Sequence, residues 1–471
     1  MHDAVVIGSG PNGLAAAIVL ARAGRKVLVR EGSAIVGGSC RSANLTLPGY
    51  THDVCAAVPA LAPLSPFMKS LPLGAYGCEF LRPAAAFAHP MDDGTAAAMF
   101  ASTTQTASAL GADGPSWEKH FGGILRRWDQ LIPDLLAPLR MPRRPLLLAK
   151  FGMSAIRSAR GMAEGWFKGA NARALFAGAA AHAGTPLEWK ATAAIGLVLA
   201  LSAHAAGWPI VRGGSQKLAD AMADYFRFLG GEIEVNSQVK NVDELSGVKA
   251  ILCDMSPRQL IAIAGHRLPG QYCRRLRRFV AGPGAWKVDW ALDGPIPWTA
   301  RVCAQAGAVH VGGTLEEIAA AERAPWNGRH AERPFVLLVQ PTLLDPSRAP
   351  PGKHTAWAYC HVPNGSNFDM TERIESQIER FAPGFGRLIL ARGVMSPSRL
   401  ELHNPNLIGG DVGGGANIFS QLLTRPVARA DPYSTPARGL YLCSASTPPG
   451  GGVHGMCGYW AAQSALRKEL R

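Results

Sequence analysis

Apolar positions follow two periods along this chain, and three separated regions share the same strand, glycine turn and helix grammar. Residues 3–31 open with an apolar run at 3–7, glycines at 8, 10 and 13, and a helical spacing over 14–23 that includes Leu14, Ile18 and Ala21. Gly24 stops that helix and a second strand is predicted over 26–31. A further helix is predicted from Gly213-Gly214-Ser215 to Phe228, closed by Gly230 and Gly231 and followed by a short strand over 232–235. The last region has a strand over 439–442, another glycine-rich turn and a helix from Gly455. Between these regions, residues 76–204 read as mostly helical. Residues 285–365 read as strands, with runs at 286–290, 335–340 and 355–359 between Pro and Gly turns. A helix from Met370 to Phe381 follows, bounded by Pro383-Gly384. The most apolar stretch, 191–207, contains His204 and ends at Trp208-Pro209. It lies at the lower limit for a bilayer span and is predicted to be a buried helix.

Composition narrows the class. The 471 residues allow about three compact units. With 48% hydrophobic and only 17% charged residues, a disordered chain is excluded. The 53 glycines have no three-residue period, which excludes a collagen-like chain. Nine scattered cysteines without a Cys-x-x-Cys pair argue against a disulfide framework or structural zinc, so a reducing compartment and no metal are expected. No basic stretch precedes the first apolar run, so no signal peptide is expected and the location is read as cytoplasmic.

The chemistry is carried by Gly8-Ser9-Gly10-Pro11-Asn12-Gly13, which follows a strand and opens a helix. Gly8 permits a tight turn, Gly10 lets backbone approach a pyrophosphate, and Gly13 lets the helix pack closely on the strand. Free N–H groups at the helix start then face phosphate charge. Glu31, at the end of the second strand, is placed to accept from ribose hydroxyls. Together these features predict dinucleotide binding, and they fit FAD or NAD equally.

Six residues beyond Glu31 begins Gly37-Gly38-Ser39-Cys40-Arg41, and near the C-terminus Gly439 to Gly458 includes a glycine-rich turn around Val453 and His454. The chain resembles the FAD-dependent phytoene desaturase and amine oxidase family. Within it, the chain is similar to the branch of pyridine nucleotide-disulfide oxidoreductase domain protein two and the carotenoid ketolase- and isomerase-like flavoproteins. Residues 207–215, 345–349 and 359–363 extend the likeness over essentially the whole length. The resemblance implies an α/β fold. In it, a discontinuous Rossmann-like FAD-binding domain (1–75, 205–255 and 395–471) carries an inserted α+β substrate domain (76–204 and 256–394) containing an antiparallel sheet.

It further implies FAD held at its pyrophosphate by Gly8, Gly10, Pro11, Asn12 and Gly13, and at its ribose by Glu31. Gly37, Gly38 and Ser39 would pass toward the flavin end. Val239 would supply backbone bonds to adenine, and Val453, His454, Gly455 and Met456 would start a helix beneath the flavin. Ser39 stands where many amine oxidases have Arg, and no acid stands near Ala445, which argues against a standard amine oxidase. The implied activity is FAD-dependent oxidoreduction of a hydrophobic isoprenoid, carotenoid or lipid-like substrate, by desaturation or by flavin-mediated isomerisation. Polyene oxygenation, an amine-oxidase-type flavoenzyme, a flavin-binding interaction protein with little turnover and a plain NAD(P)-binding protein are the alternatives. No motif identifies the electron acceptor.

His361 and His454 are the only candidates for a catalytic side chain, while His182 and His204 read as packed histidines. Asp345 and Arg348 fit a turn with an N-cap as well as an ion pair, and the turn is preferred. No hydrolase nucleophile motif or P-loop is present. Nine Lys/Arg against three acids fall within residues 121–168, interleaved with Trp128, Leu135, Leu146, Phe151 and Trp166. That mixture suits either a solvated basic face or peripheral contact with an anionic membrane at its inner face. Nucleic acid is not an expected partner, because no binding module accompanies the charge.

Overall fold

A five-stranded sheet and a seven-stranded sheet divide the chain, seen here in a computed structural model that describes residues 2–471. The five-stranded sheet is wholly parallel. Its order is Leu440–Leu442, Ala250–Cys253, Ala4–Ile7, Val27–Arg30 and Glu232–Glu234, so its strands come from both ends and the middle of the sequence. Val5 lies opposite both Ile251 and Leu28, which puts Ala250–Cys253 and Val27–Arg30 on either side of the first strand. Near-continuous apolar runs are what a sheet covered on both faces requires.

The helices Pro11–Arg22 and Met456–Lys468 pack together on one face. Their approach is close enough that a Cβ on Gly458 would lie 1.8 Å from the Asn12 carbonyl oxygen. The two ends of the polypeptide are therefore joined at a glycine contact. The opposite face is covered by Pro257–Ala264 and Gly270–Arg277, whose Leu260, Ala264, Tyr272 and Leu276 pack with Val5, Ile7, Ile251 and Leu442. These two helices fall within the segment expected to belong to the substrate domain. Their apolar sides instead extend the nucleotide-binding layer to about residue 281.

The seven-stranded sheet has the order Ile389–Met395, Gly284–Leu292, His354–Val362, Val336–Val339, Ala306–Val311, Ala85–Pro90 and Ala96–Phe100. It is antiparallel except where Ala306–Val311 pairs in parallel with Ala85–Pro90. The last two strands come from the first insertion, which is otherwise helical, so the two insertions share one sheet. The helices Ala170–Ala181 and Thr192–Ala206 lie against it. The second is the buried apolar helix expected around His204. The imidazole of His204 accepts a hydrogen bond from the Trp117 indole N–H (3.0 Å) and lies 2.8 Å from the Phe100 carbonyl. His182 lies 3.1 Å from His310 in another buried contact.

Candidate functional site

The first strand ends at Ile7, and Gly8 turns the chain with φ +97°. Gly10 then caps the helix Pro11–Arg22 in extended conformation, with Pro11 at the position where a missing N–H has no cost. Side chains have no room here. A Cβ on Gly10 would sit 2.6 Å from Asp254 Oδ2, one on Gly13 would sit 2.1 Å from the Gly8 carbonyl oxygen, and one on Gly38 would sit 3.0 Å from Gly10 Cα. What faces the cleft is therefore bare backbone at a helix start, a seat for a phosphate. Asn12 Oδ1 and Arg41 Nε are buried there without partners, as polar atoms awaiting a polar ligand are.

Glu31 forms the next part of the wall. Its carboxylate accepts from the Ser9 N–H (2.9 Å), the Ser33 N–H (2.8 Å) and Arg41 Nη2 (3.3 Å). Arg41 was not singled out in the sequence; it holds the acid from below. The cavity measures about 890 Å³, within the range of cofactor sites, and extends from Gln238 and Val239 past Gly8–Asn12 to Ala445, Gly452 and Val453. Ser444 Oγ donates to the Met255 carbonyl (2.7 Å), tying the C-terminal turn to the strand Ala250–Cys253. One elongated cleft is thus built from both ends of the chain.

Residues 12–259 match the family model of the flavin containing amine oxidoreductases. The chain belongs to this family. Three relatives are similar over most of their length. A pyridine nucleotide-disulfide oxidoreductase domain-containing protein 2 from Rattus norvegicus is 27% identical, covering 99% of this chain and 93% of the relative. A limonene dehydrogenase component from Castellaniella defragrans is 24% identical (99% and 94%). Phytoene dehydrogenase from Streptomyces griseus is 28% identical (83% and 82%). Among solved structures, an oxidoreductase from Methanosarcina mazei superposes with TM-score 0.65 at 15% identity over 99% of this chain and 100% of its own. Putrescine oxidase bound to putrescine superposes with TM-score 0.59 at 17% identity over 99% of each chain. The fold is that of the FAD-dependent amine oxidases, and the protein is an FAD-dependent oxidoreductase.

In this flavin amine oxidoreductase, Gly8, Gly10, Pro11, Asn12, Glu31, Gly38, Ser39, Val239 and Val453 line the cavity. Gly13, Gly37, His454, Gly455 and Met456 lie behind that wall. Gly13 is the helix-to-strand contact, and Gly37 takes φ +118° to bring Gly38 forward. His454 was expected beside the flavin with an imidazole of undecided role. Its Nδ1 instead accepts the Met456 N–H (3.0 Å) and caps the closing helix, while its carbonyl accepts from Ser65 Oγ (2.6 Å). Burial pulls that imidazole down to about 4, so it stays neutral. His361 also lies off the cavity wall, with Nδ1 2.8 Å from Glu322 Oε2. Burial lowers its pKa, but the Glu322 carboxylate outweighs that and the net shift is upward. Both histidines read as structural.

Other residues take the places these candidates leave. Asp254, Cys55, Asn404 and Asn406 line the cavity, and Asn404 Nδ2 donates to Ser39 Oγ (3.2 Å). None of the four carried a signal in the sequence that pointed to this cavity. Beyond Cys55, the inner face of the seven-stranded sheet carries Lys287, Asp289, Trp357 and Tyr359, with Cys55 packed beside Tyr359. Lys287 pairs with Asp289 and lies 5.5 Å from the centre of the Trp357 ring. His52 Nδ1 lies 3.4 Å from the same Asp289 carboxyl. Burial raises Asp289 to about 6 despite Lys287, and burial lowers His52 to about 3. Behind Cys55 there is thus a buried cluster of aromatic rings with one ion pair, packed outside the residues that line the cavity.

Proposed function

We propose that this flavoenzyme removes hydrogen from a carbon–carbon bond of an isoprenoid, carotenoid or other lipid-like molecule. FAD would accept one hydrogen as a hydride, and the hydrogen on the neighbouring carbon would leave as a proton to solvent. The chain's own residues would do the remaining work. The backbone at Gly8, Gly10 and Asn12 would hold the pyrophosphate, Glu31 the ribose, and Val239 the adenine. Trp357 and Tyr359, packed behind Cys55, would make that end of the cleft apolar and help exclude water. Isomerisation, in which the electrons return to the same substrate, uses the same arrangement and is the second reading.

The observation that carries the hydrophobic substrate is the surface of the helical insertion. Leu139, Met141, Leu146 and Met153 are 73%, 87%, 87% and 70% exposed, an unusual state for side chains of this size. Exposed Arg143, Arg144 and Lys150 lie among them, with no ion pair among the described residues. Arg140 is engaged with Asp134 (3.7 Å) and over the Trp460 ring (4.6 Å). No helix among the described residues is long and apolar enough to cross a membrane. The patch supports peripheral contact with an anionic bilayer, from which a lipid-dissolved substrate would be taken. Two relatives, the limonene dehydrogenase component and phytoene dehydrogenase, are named for terpenoids, which supports the same substrate class.

Two measurements test this reading. Anaerobic addition of a linear isoprenoid hydrocarbon in vesicles is expected to bleach the visible flavin band, whereas a diamine leaves it unchanged. Bleaching by the diamine alone would reassign the enzyme to amine oxidation, and bleaching by neither would favour the interaction-protein alternative. Combining Arg143→Gln, Arg144→Gln and Lys150→Gln is expected to weaken partition onto anionic vesicles about hundredfold at low salt, at ~1 kcal/mol per cation. Undiminished partition would remove the membrane from the proposal.

A further inference from the structure

Asp254 lies beside the seat that the cofactor's pyrophosphate needs. Its backbone is pinned on both sides, the N–H donating to the Ile7 carbonyl (2.8 Å) and the carbonyl accepting from Asn406 Nδ2 (3.0 Å). The side chain is thereby laid across the start of the helix Pro11–Arg22. Oδ2 accepts the Gly13 N–H at 2.9 Å, and it is the same atom that a Cβ on Gly10 would meet. A carboxylate therefore sits at the start of this helix, bonded to the Gly13 N–H and in the wall of the cavity beside Gly10, next to the amides that face phosphate charge.

Nothing nearby neutralises it. The second strand contributes Glu31, of the same sign. Its own strand contributes the Cys253 thiol, the closing strand Cys443 and the closing helix Cys457, all three pushed up by burial and so uncharged near neutrality. Arg41 is bonded to Glu31, and among the described residues no cation is hydrogen-bonded to Asp254. Burial, with Glu31 adding to it, raises the Asp254 carboxyl to about 7, and the Gly13 N–H only partly offsets this.

We propose that Asp254 takes up a proton when FAD binds, so that its carboxyl no longer repels the neighbouring pyrophosphate, and that the protein's hold on FAD weakens as pH rises. The proposal rests on the FAD reading of the cavity. The sign follows from linkage. A group protonated in the bound state and ionised in the free state favours binding below its free-state pKa and opposes it above.

The test dilutes the flavin-loaded protein between pH 6 and 9 and reads released FAD by its fluorescence. Calorimetric titration of FAD in two buffers of different ionisation heat counts the protons. For the wild type, affinity is expected to fall by up to about tenfold per pH unit above 7, with uptake of about one proton near pH 8.5. Asp254→Asn is expected to flatten the profile, abolish the uptake and bind at least about tenfold more tightly than wild type at pH 8.5. Asp254→Ala, which frees the Gly13 N–H outright, is expected to do the same if the amide variant folds poorly. A pH slope that survives in both variants, or weaker binding by both at every pH, overturns the role given to Asp254. A wild type that holds no FAD at any pH would overturn the cofactor reading as well, so the two failures are told apart.

Discussion

Gly10→Val is expected to give a folded protein without flavin colour. Gly10 has φ −65° and ψ 171°, an extended conformation that a β-branched residue adopts freely, so the substitution strains no backbone. The new side chain meets its surroundings at once, because its Cβ alone would lie 2.6 Å from Asp254 Oδ2. The two γ-methyls would extend into the space over the helix start, where backbone amides must meet phosphate oxygens. Losing two hydrogen bonds to a charged group, at ~1.5–3 kcal/mol each, lowers affinity by more than about hundredfold. The check is the flavin-to-protein ratio of the purified variant, read from its absorbance, beside its far-ultraviolet dichroism. A variant that keeps a stoichiometric flavin would show that the pyrophosphate is not held at this turn.

This turn was legible in the sequence because its constraints are local. A strand, three glycines, a helix and a terminal acid lie within about thirty residues, and each is required by backbone geometry at that point. The closing strand and helix were legible for the same reason. The strands Ala85–Pro90 and Ala96–Phe100 were not. They are rich in alanine, the best helix former, and become strands only by pairing with Ala306–Val311 and with each other. The helices covering residues 257–277 were misplaced because an amphipathic helix announces that it has a buried side, not which sheet receives it. Asp254 went unread for a similar reason. Its four-residue strand is too short for a period, and its meaning comes from Gly13, which lies 241 residues away. The histidines erred in the other direction. A lone imidazole near a glycine turn invites a chemical role, but the protein uses His454 as a helix cap and joins His361 to Glu322.

Arg348→Leu is expected to destabilise the protein by about 3–5 kcal/mol, the usual cost of leaving buried carboxylates without their cation. The sequence reading of Asp345-Pro-Ser-Arg348 gets the turn, a single 3-10 turn at Pro346–Arg348, but Asp345 makes no side-chain cap and the less favoured ion pair with Arg348 is present (3.1 Å). It omits Asp53. Arg348 is 1% exposed, and its guanidinium reaches Asp53 Oδ2 (2.6 Å), Asp345 Oδ2 (3.1 Å) and the Val211 carbonyl. Those acids in turn hold backbone: Asp53 accepts the Ser215 N–H (2.7 Å) and Asp345 the Gly213 N–H (2.6 Å). One arginine therefore clamps three distant segments at the start of the helix Gln216–Phe228, which packs on the helix Pro11–Arg22. Arg348→Lys recovers only part of the loss, because an ammonium cannot reach three acceptors in a fixed fork.

The pH dependence has a definite sign. Burial acts to raise the Asp345 carboxyl, and its hydrogen bonds from Ser347, Gly213 and Arg348 overcome that to hold it below the ordinary value. Its contribution to stability is thus present above the unfolded pKa and lost as pH falls through the lower folded one. Without the guanidinium the carboxyl moves up from that lowered value, the Ser347 and Gly213 bonds remaining, so the deficit of the variant shrinks as pH is lowered and Asp345 protonates. Urea unfolding near pH 8 and pH 5 checks both statements. An unchanged midpoint, or a deficit that grows toward acid, would mean that Arg348 is not the clamp between the two parts of the molecule.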